Sequence, residues 1–149
     1  MSKIYAENKK AHFNYEILEK FEAGLVLLGQ EVKSIRLGRM ILEASYVVFK
    51  ETEPYIIGSK IPAYQPKNAP AGYDPERSRK LLLSKKEISY LIGKVSQKGL
   101  TLVPLRVYSN NAKIKIEFGV AKGKKKFDKR DDLKKREAKR EIARTMGRI

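Results

Sequence analysis

The sequence predicts a mainly β fold: a small antiparallel barrel with two or three packed helices and a basic C-terminal tail. Three observations predict it. Short runs rich in β-branched and aromatic residues recur along the 149 residues, separated by turn-forming residues. Only two segments carry a clear helical period. The charge is uneven: Lys122 to Ile149 hold 13 Lys/Arg against 5 Asp/Glu, so half of the net charge of +16 lies in the last 28 residues.

The elements follow in order. Met1 to Lys10 is a polar arm without an apolar leader core. Tyr15 to Leu28 alternates and then runs through Gly24-Leu25-Val26-Leu27-Leu28, which reads as a bent strand pair or one long strand kinked at Gly24. Gln30 to Leu37 spaces Val32 and Ile35 three apart and stops at Gly38, a short helix. Ser45–Phe49 and Tyr55–Gly58 read as a hairpin. Pro62 to Pro75, with four prolines, is a loop. Arg79–Leu83 is a short strand. Ser84 and Glu87 then match a capping box, in which each side chain bonds the other residue's backbone amide. Ile88, Leu91, Ile92 and Val95 place one apolar stripe on the helix that follows, which Gly99 ends. Leu100–Tyr108 and Lys113–Val120 form a hairpin. In it Val103, Leu105 and Val107 share one face, and Ile114, Ile116 and Phe118 face the core opposite Lys113 and Lys115. Pro104 lacks an amide donor and belongs at an edge or bulge. Many short strands with few helices make an oligonucleotide-binding-like barrel the natural architecture, with a flatter sheet and packed helices as the alternative. The chain divides into a body, residues 1–121, and a tail, residues 122–149.

Composition narrows the function. With 42% hydrophobic and 34% charged residues, a globular body is expected. The absence of cysteine removes disulfides, thiolate metal sites and a thiol nucleophile, and fits a reducing cytoplasm. One histidine, His12, cannot make a multi-histidine metal site or, in its basic arm, a catalytic triad. No apolar run approaches the roughly 18 residues of a membrane span, and no phosphate-loop or dinucleotide glycine motif occurs. No cofactor and no enzymatic activity are expected. The excess of cations favours a polyanion, with RNA ahead of an anionic membrane surface.

Candidate RNA contacts are basic residues beside aromatic or amide groups. Asn8, Lys9, Lys10, His12 and Phe13 combine phosphate-binding and stacking groups. Lys33 and Arg36 lie on neighbouring helical positions, with Val32 and Ile35 inward. Lys113 and Lys115 share a strand face and form a cationic strip continuous with the tail, which begins at Lys122. Asp128 to Met146 contains neither glycine nor proline, and Ala138, Ile142, Met146 and Ile149 fall near one helical face. Such a segment is expected to be loose when free and helical on RNA.

Read in order, several stretches resemble the small protein B family, partners of transfer-messenger RNA (tmRNA). They are Asn8–Ala11, Phe21–Gly24, Glu31–Arg36, Tyr73–Leu83 and Gly119–Arg130, and the resemblance runs from about Ala6 to the C-terminus. It implies an oligonucleotide-binding-like barrel, binding to the transfer-RNA-like domain of tmRNA, and delivery of that RNA to stalled ribosomes. The tail would then engage the decoding centre and the empty messenger channel of the small-subunit RNA. Alanyl-tRNA synthetase and elongation factor Tu act on the same RNA. Asn8, Glu22, Leu82 and Lys115 match family positions tied to RNA binding. Gly123, Lys124 and Lys125 match the tail entry tied to ribosomal function, and Phe127, Lys129, Arg130 and Met146 continue that tail. The chain departs from the family where His12-Phe13 replaces Arg-His and where Phe127 replaces His: stacking is kept there, but imidazole hydrogen bonding is lost. The rival readings are a general ribosome-associated RNA-binding module, present on all translating ribosomes, and an RNA-modifying enzyme, which would need a cofactor or a catalytic cluster.

Overall fold

The computed structural model describes residues 3–68 and 71–124. Among these residues seven strands and three α-helices follow in order: β1 (Lys3–Glu7), α1 (Ala11–Asn14), β2 (Tyr15–Leu25), α2 (Gly29–Arg36), β3 (Tyr46–Lys50), β4 (Glu53–Ile57), β5 (Arg79–Leu82), α3 (Lys85–Val95), β6 (Leu100–Asn110) and β7 (Lys113–Gly123). Their order in the sheet is β1-β6-β3-β4-β5-β2-β7, and β7 pairs back to β6. All the pairings are antiparallel. From β6 through β3, β4, β5, β2 and β7 they therefore return to β6, and six strands close a barrel. The β2–β7 and β6–β7 seams are long, whereas β3 meets β6 only at Val47↔Leu102, so the wall is tight on one side and thin on the other.

Local chemistry explains much of this. The capping box on α3 is formed: the Glu87 amide donates to Ser84 Oγ at 3.2 Å and the Ser84 amide to Glu87 Oε1 at 3.1 Å. Its stripe buries Leu91 fully and Val95 partly against the core. The helix stops at Val95, ahead of Gly99, which takes a left-handed φ of 84° in the turn into β6. Gly38 ends α2 as expected, its amide bonding the Ile35 carbonyl at 2.8 Å with φ 75°. The β6–β7 turn is Asn111-Ala112, both left-handed, with φ 51° and 65°. Two successive positive φ values match the twist of the flanking strands.

Three features differ from the sequence reading. Lys3–Glu7 is a strand rather than a free arm, paired to Arg106–Ser109 of β6. It is too short and polar to announce itself by alternation, and β6 supplies its hydrogen bonds. Tyr15–Leu25 is one strand. Its irregularity falls between Ile17 and Glu19 rather than at Gly24. There Gly119 of β7 passes so close that an added Cβ would stand 2.7 Å from Ile17 Cγ2 and 3.0 Å from the Glu19 carbonyl, so only glycine fits. Third, β6 bulges between Pro104 and Arg106, as the missing proline donor demands. The bulge shifts the parity of the strand. Leu102 and Val107 enter the barrel core with Ile116, Phe118 and Ile56, whereas Val103 and Leu105 turn to a second cluster under Ala11 and Ala121. Val103, Leu105 and Val107 thus do not share a face.

The loop from residue 62 is pinned by buried ions. Glu31 of α2 and Arg79 of β5 are both fully buried. Arg79 Nη2 lies 2.6 Å and Nε 2.8 Å from Glu31 Oε2, and Arg77 bridges both carboxylate oxygens. The Leu28 amide and the Tyr73 hydroxyl complete the set. Burial pushes the Glu31 carboxyl up, but the hydrogen bonds from Arg77, Leu28 and Arg79 outweigh it and hold the carboxyl below its usual range.

Candidate nucleic-acid interface

Pairing across four strands gathers residues far apart in sequence. Leu82 of β5 stands opposite Gly24 of β2, Gly24 opposite Lys115 of β7, and Lys115 opposite Tyr108 of β6. In the neighbouring row of the same outer face, Glu22 stands opposite Glu117, and Glu117 opposite Arg106. Gly24 leaves a notch between bulkier neighbours: a Cβ there would touch Leu82 Cδ1 at 3.3 Å. Leu82 is 57% exposed, the largest value among the exposed large apolar side chains of the described residues. An apolar side chain held in water beside a cation and a backbone notch is suited to a sugar or base edge.

Arg36 of α2 reaches over the notch and donates from Nη2 to the Ala112 carbonyl at 3.2 Å. Arg36, Leu82, Lys113 and Lys115 line one open groove of about 380 Å³ with Gly24 at its floor. In the neighbouring row Glu22 accepts a hydrogen bond from the Tyr108 hydroxyl. The Arg106 guanidinium sits 4.9 Å from the Tyr108 ring centre and 3.3 Å from Glu117 Oε1. Burial, the bond to Glu22 and the nearby carboxylates push the Tyr108 phenol well above its ordinary value, so it stays a donor. The face therefore offers Lys115 and Arg36 for phosphates, Glu22 as an acceptor for base donors, Leu82 as an apolar contact and Tyr108 as an orienting hydroxyl.

Other sequence-predicted residues lie elsewhere. Asn8 is buried, and its Nδ2 donates to the Pro104 carbonyl at 3.0 Å while its amide bonds the Leu105 carbonyl at 2.8 Å, pinning the chain to the β6 bulge. It lines a second groove, of about 470 Å³, with Lys10, Tyr15, Tyr46, Gly123 and Lys124. In that groove the Tyr15 and Tyr46 hydroxyls are 3.0 Å apart, and this bond, with burial, pushes the Tyr15 phenol up to about 12. The Lys124 amide bonds the Asn14 carbonyl at 3.0 Å, which ties the root of the tail to α1. Lys9 and Lys122 are exposed, the latter opposite Glu16. Lys33, beside Arg36 on the exposed side of α2, does not line the Arg36 groove and lies 5.5 Å from the Tyr64 ring centre. Lys125, Phe127, Lys129, Arg130 and Met146 lie outside the described residues. Sequence reasoning missed Tyr108, Arg106 and the Gly24 notch as site features. Their shared signal is cross-strand register, which no local pattern carries. Among the described residues no group of acidic or histidine side chains could hold a metal, and no helix is long and apolar enough to cross a membrane.

A closed antiparallel barrel with cationic, apolar and aromatic groups on one outer face defines a small nucleic-acid-binding barrel protein. The comparisons with known proteins narrow this. The family described as "SmpB protein" matches residues 5–148, and the chain belongs to that family. Its relatives include the SsrA-binding proteins of Solidesulfovibrio magneticus, 54% identical over 98% of this chain and 94% of that protein, and of Thermosynechococcus vestitus, 50% identical over 97% and 95%. Among solved structures, a chain from work described as "tmRNA-SmpB: a journey to the center of the bacterial ribosome" matches with a TM-score of 0.66 and 48% identity, over 80% of this chain and 84% of that one.

Proposed function

We propose that this chain is the protein partner of tmRNA in trans-translation: it binds the transfer-RNA-like domain and carries that RNA to stalled ribosomes. Family membership and the names of the relatives support the RNA and the ribosome as partners. The observation that carries the site is the convergence of Glu22, Leu82 and Lys115, from three different strands, on one outer face with Arg36 above it. In this reading Lys115 and Arg36 hold phosphates, Leu82 packs on a sugar or base, and Glu22 reads base donors. Asn8 acts indirectly, by fixing the β6 bulge and the strand that carries Tyr108. The chain serves as a carrier rather than a catalyst and works in the cytoplasm, where ribosomes are.

The tail, residues 122–149, whose first two residues finish β7, is the ribosomal half of the proposal. Its surplus of eight positive charges suits the decoding centre and the empty messenger channel, both lined by RNA. The test is a chain truncated after Arg130, measured side by side with the full chain for tmRNA affinity and for peptide tagging on stalled ribosomes. Affinity should hold while tagging is lost. Tagging at the normal rate would overturn the tail's role, and loss of both together would make it part of one RNA-binding surface.

A further inference from the structure

We infer that the flank of α2 next to the Arg36 groove carries a second RNA contact: a notch for one unpaired nucleotide, formed by Tyr64, Lys33 and Gln30. The inference rests on the tmRNA-binding reading, since the proposed occupant is an unpaired base of the RNA already held at the Glu22–Leu82–Lys115 face. The geometry is specific. Gly29, Gln30, Lys33, Tyr64 and Gln65 line an open groove of about 450 Å³. The Lys33 ammonium lies 5.5 Å from the Tyr64 ring centre, and no carboxylate among the described residues is within ion-pair reach of it. Arg39 Nη1 donates to the Tyr64 carbonyl at 3.2 Å and so fixes the backbone that presents the ring. Gln30 Nε2 is shielded from solvent and has no hydrogen-bond partner among the described residues. A shielded donor without a partner costs free energy until an acceptor arrives.

A base fits these groups better than a phosphate alone does. It stacks on the Tyr64 ring, a turn of the Gln30 side chain brings its amide to the base edge, which accepts from it, and Lys33 swings from the ring to the nucleotide's own phosphate. Lys33 and Arg36 are neighbours on the exposed side of α2, roughly 4.5 Å apart along the axis, so one strand of RNA can reach both grooves. Gly29 provides a way to fill the notch without disturbing the fold, because an added Cβ there meets nothing within 4 Å.

The experiment measures affinity of the full chain for tmRNA against salt, with thermal unfolding of each variant and chemical probing of unpaired bases. Tyr64→Ala should weaken binding about 10-fold at every salt with an unchanged salt slope, because stacking is not ionic. Tyr64→Phe should bind normally. Gly29→Leu should weaken binding like Tyr64→Ala, with thermal stability unchanged or raised. Lys33→Ala should lower the salt slope by about one. One unpaired base protected by the wild type should become reactive with Tyr64→Ala and Gly29→Leu, while protections at the main face persist. Normal binding by Tyr64→Ala and Gly29→Leu overturns the notch, as does lost thermal stability in Tyr64→Ala with normal binding by Gly29→Leu. If the wild type does not prefer tmRNA to an unrelated RNA, the function proposed above falls. The same variants then read the notch on whichever RNA is bound.

Discussion

Glu22 and Glu31 are nine residues apart, and each accepts a hydrogen bond from a tyrosine hydroxyl, Tyr108 and Tyr73 respectively. Burial separates them. Glu31 is fully buried, and two arginines, a backbone amide and the tyrosine saturate its oxygens. Glu22 is exposed and, among the described residues, keeps one oxygen without a partner. The first carboxylate holds a loop and a helix to the barrel, and the second remains available to a partner. Both fall within stretches that carry the family resemblance, so a motif match alone does not separate a residue that holds the fold from one left open to a partner.

The comparison breaks most visibly at Glu31. Glu31→Ala leaves Arg79 buried and uncompensated and should cost about 3–5 kcal/mol, read by urea unfolding. A loss below about 1 kcal/mol would place Glu31 with the surface pairs instead. Acid sharpens the same point. The Glu31 carboxyl lies below its ordinary value of 4.5, so its stabilisation is present above that pH and is lost as pH falls through the lowered folded value. Unfolding curves from pH 6 downward should therefore show an acid limb that Glu31→Gln reduces.

Asn8 belongs with Glu31 by the same criterion. Removing its side chain orphans the Pro104 carbonyl, and Asn8→Ala should cost about 1–3 kcal/mol while leaving the salt slope of RNA binding unchanged. A changed slope with normal stability would move Asn8 into the interface. On the Glu22 side, Lys115→Ala should lower the slope of log affinity against log salt by about one, with little effect on unfolding. Glu22→Gln has the smallest effect on the fold. It removes a negative charge, so a purely electrostatic face would bind every RNA equally or more tightly. Base readout predicts weaker binding to tmRNA with unchanged binding to an unrelated RNA, measured by competition.

Where a feature is set by residues a few positions apart, it was legible in the sequence. The Ser84–Glu87 box, the α3 stripe, the Gly38 stop and the hairpins all belong to this class, because caps, helical periods and turns are local chemistry. That Pro104 needs a bulge or edge was legible too, since it lacks a donor. The consequence of the bulge was not: Val103 and Leu105 part from Val107 because one extra residue reverses the parity of a strand. The strand at Lys3–Glu7 exists because β6 offers a partner. The proposed interface is also tertiary. Glu22, Leu82, Lys115, Tyr108 and Arg36 come from five elements, and their meeting depends on which strands pair and in what register. Local physics pointed to the basic residues as candidates for RNA, and Glu22 and Leu82 came from the family resemblance alone. Barrel closure decided which of them share a face, because cross-strand neighbours are fixed by contacts distant along the chain.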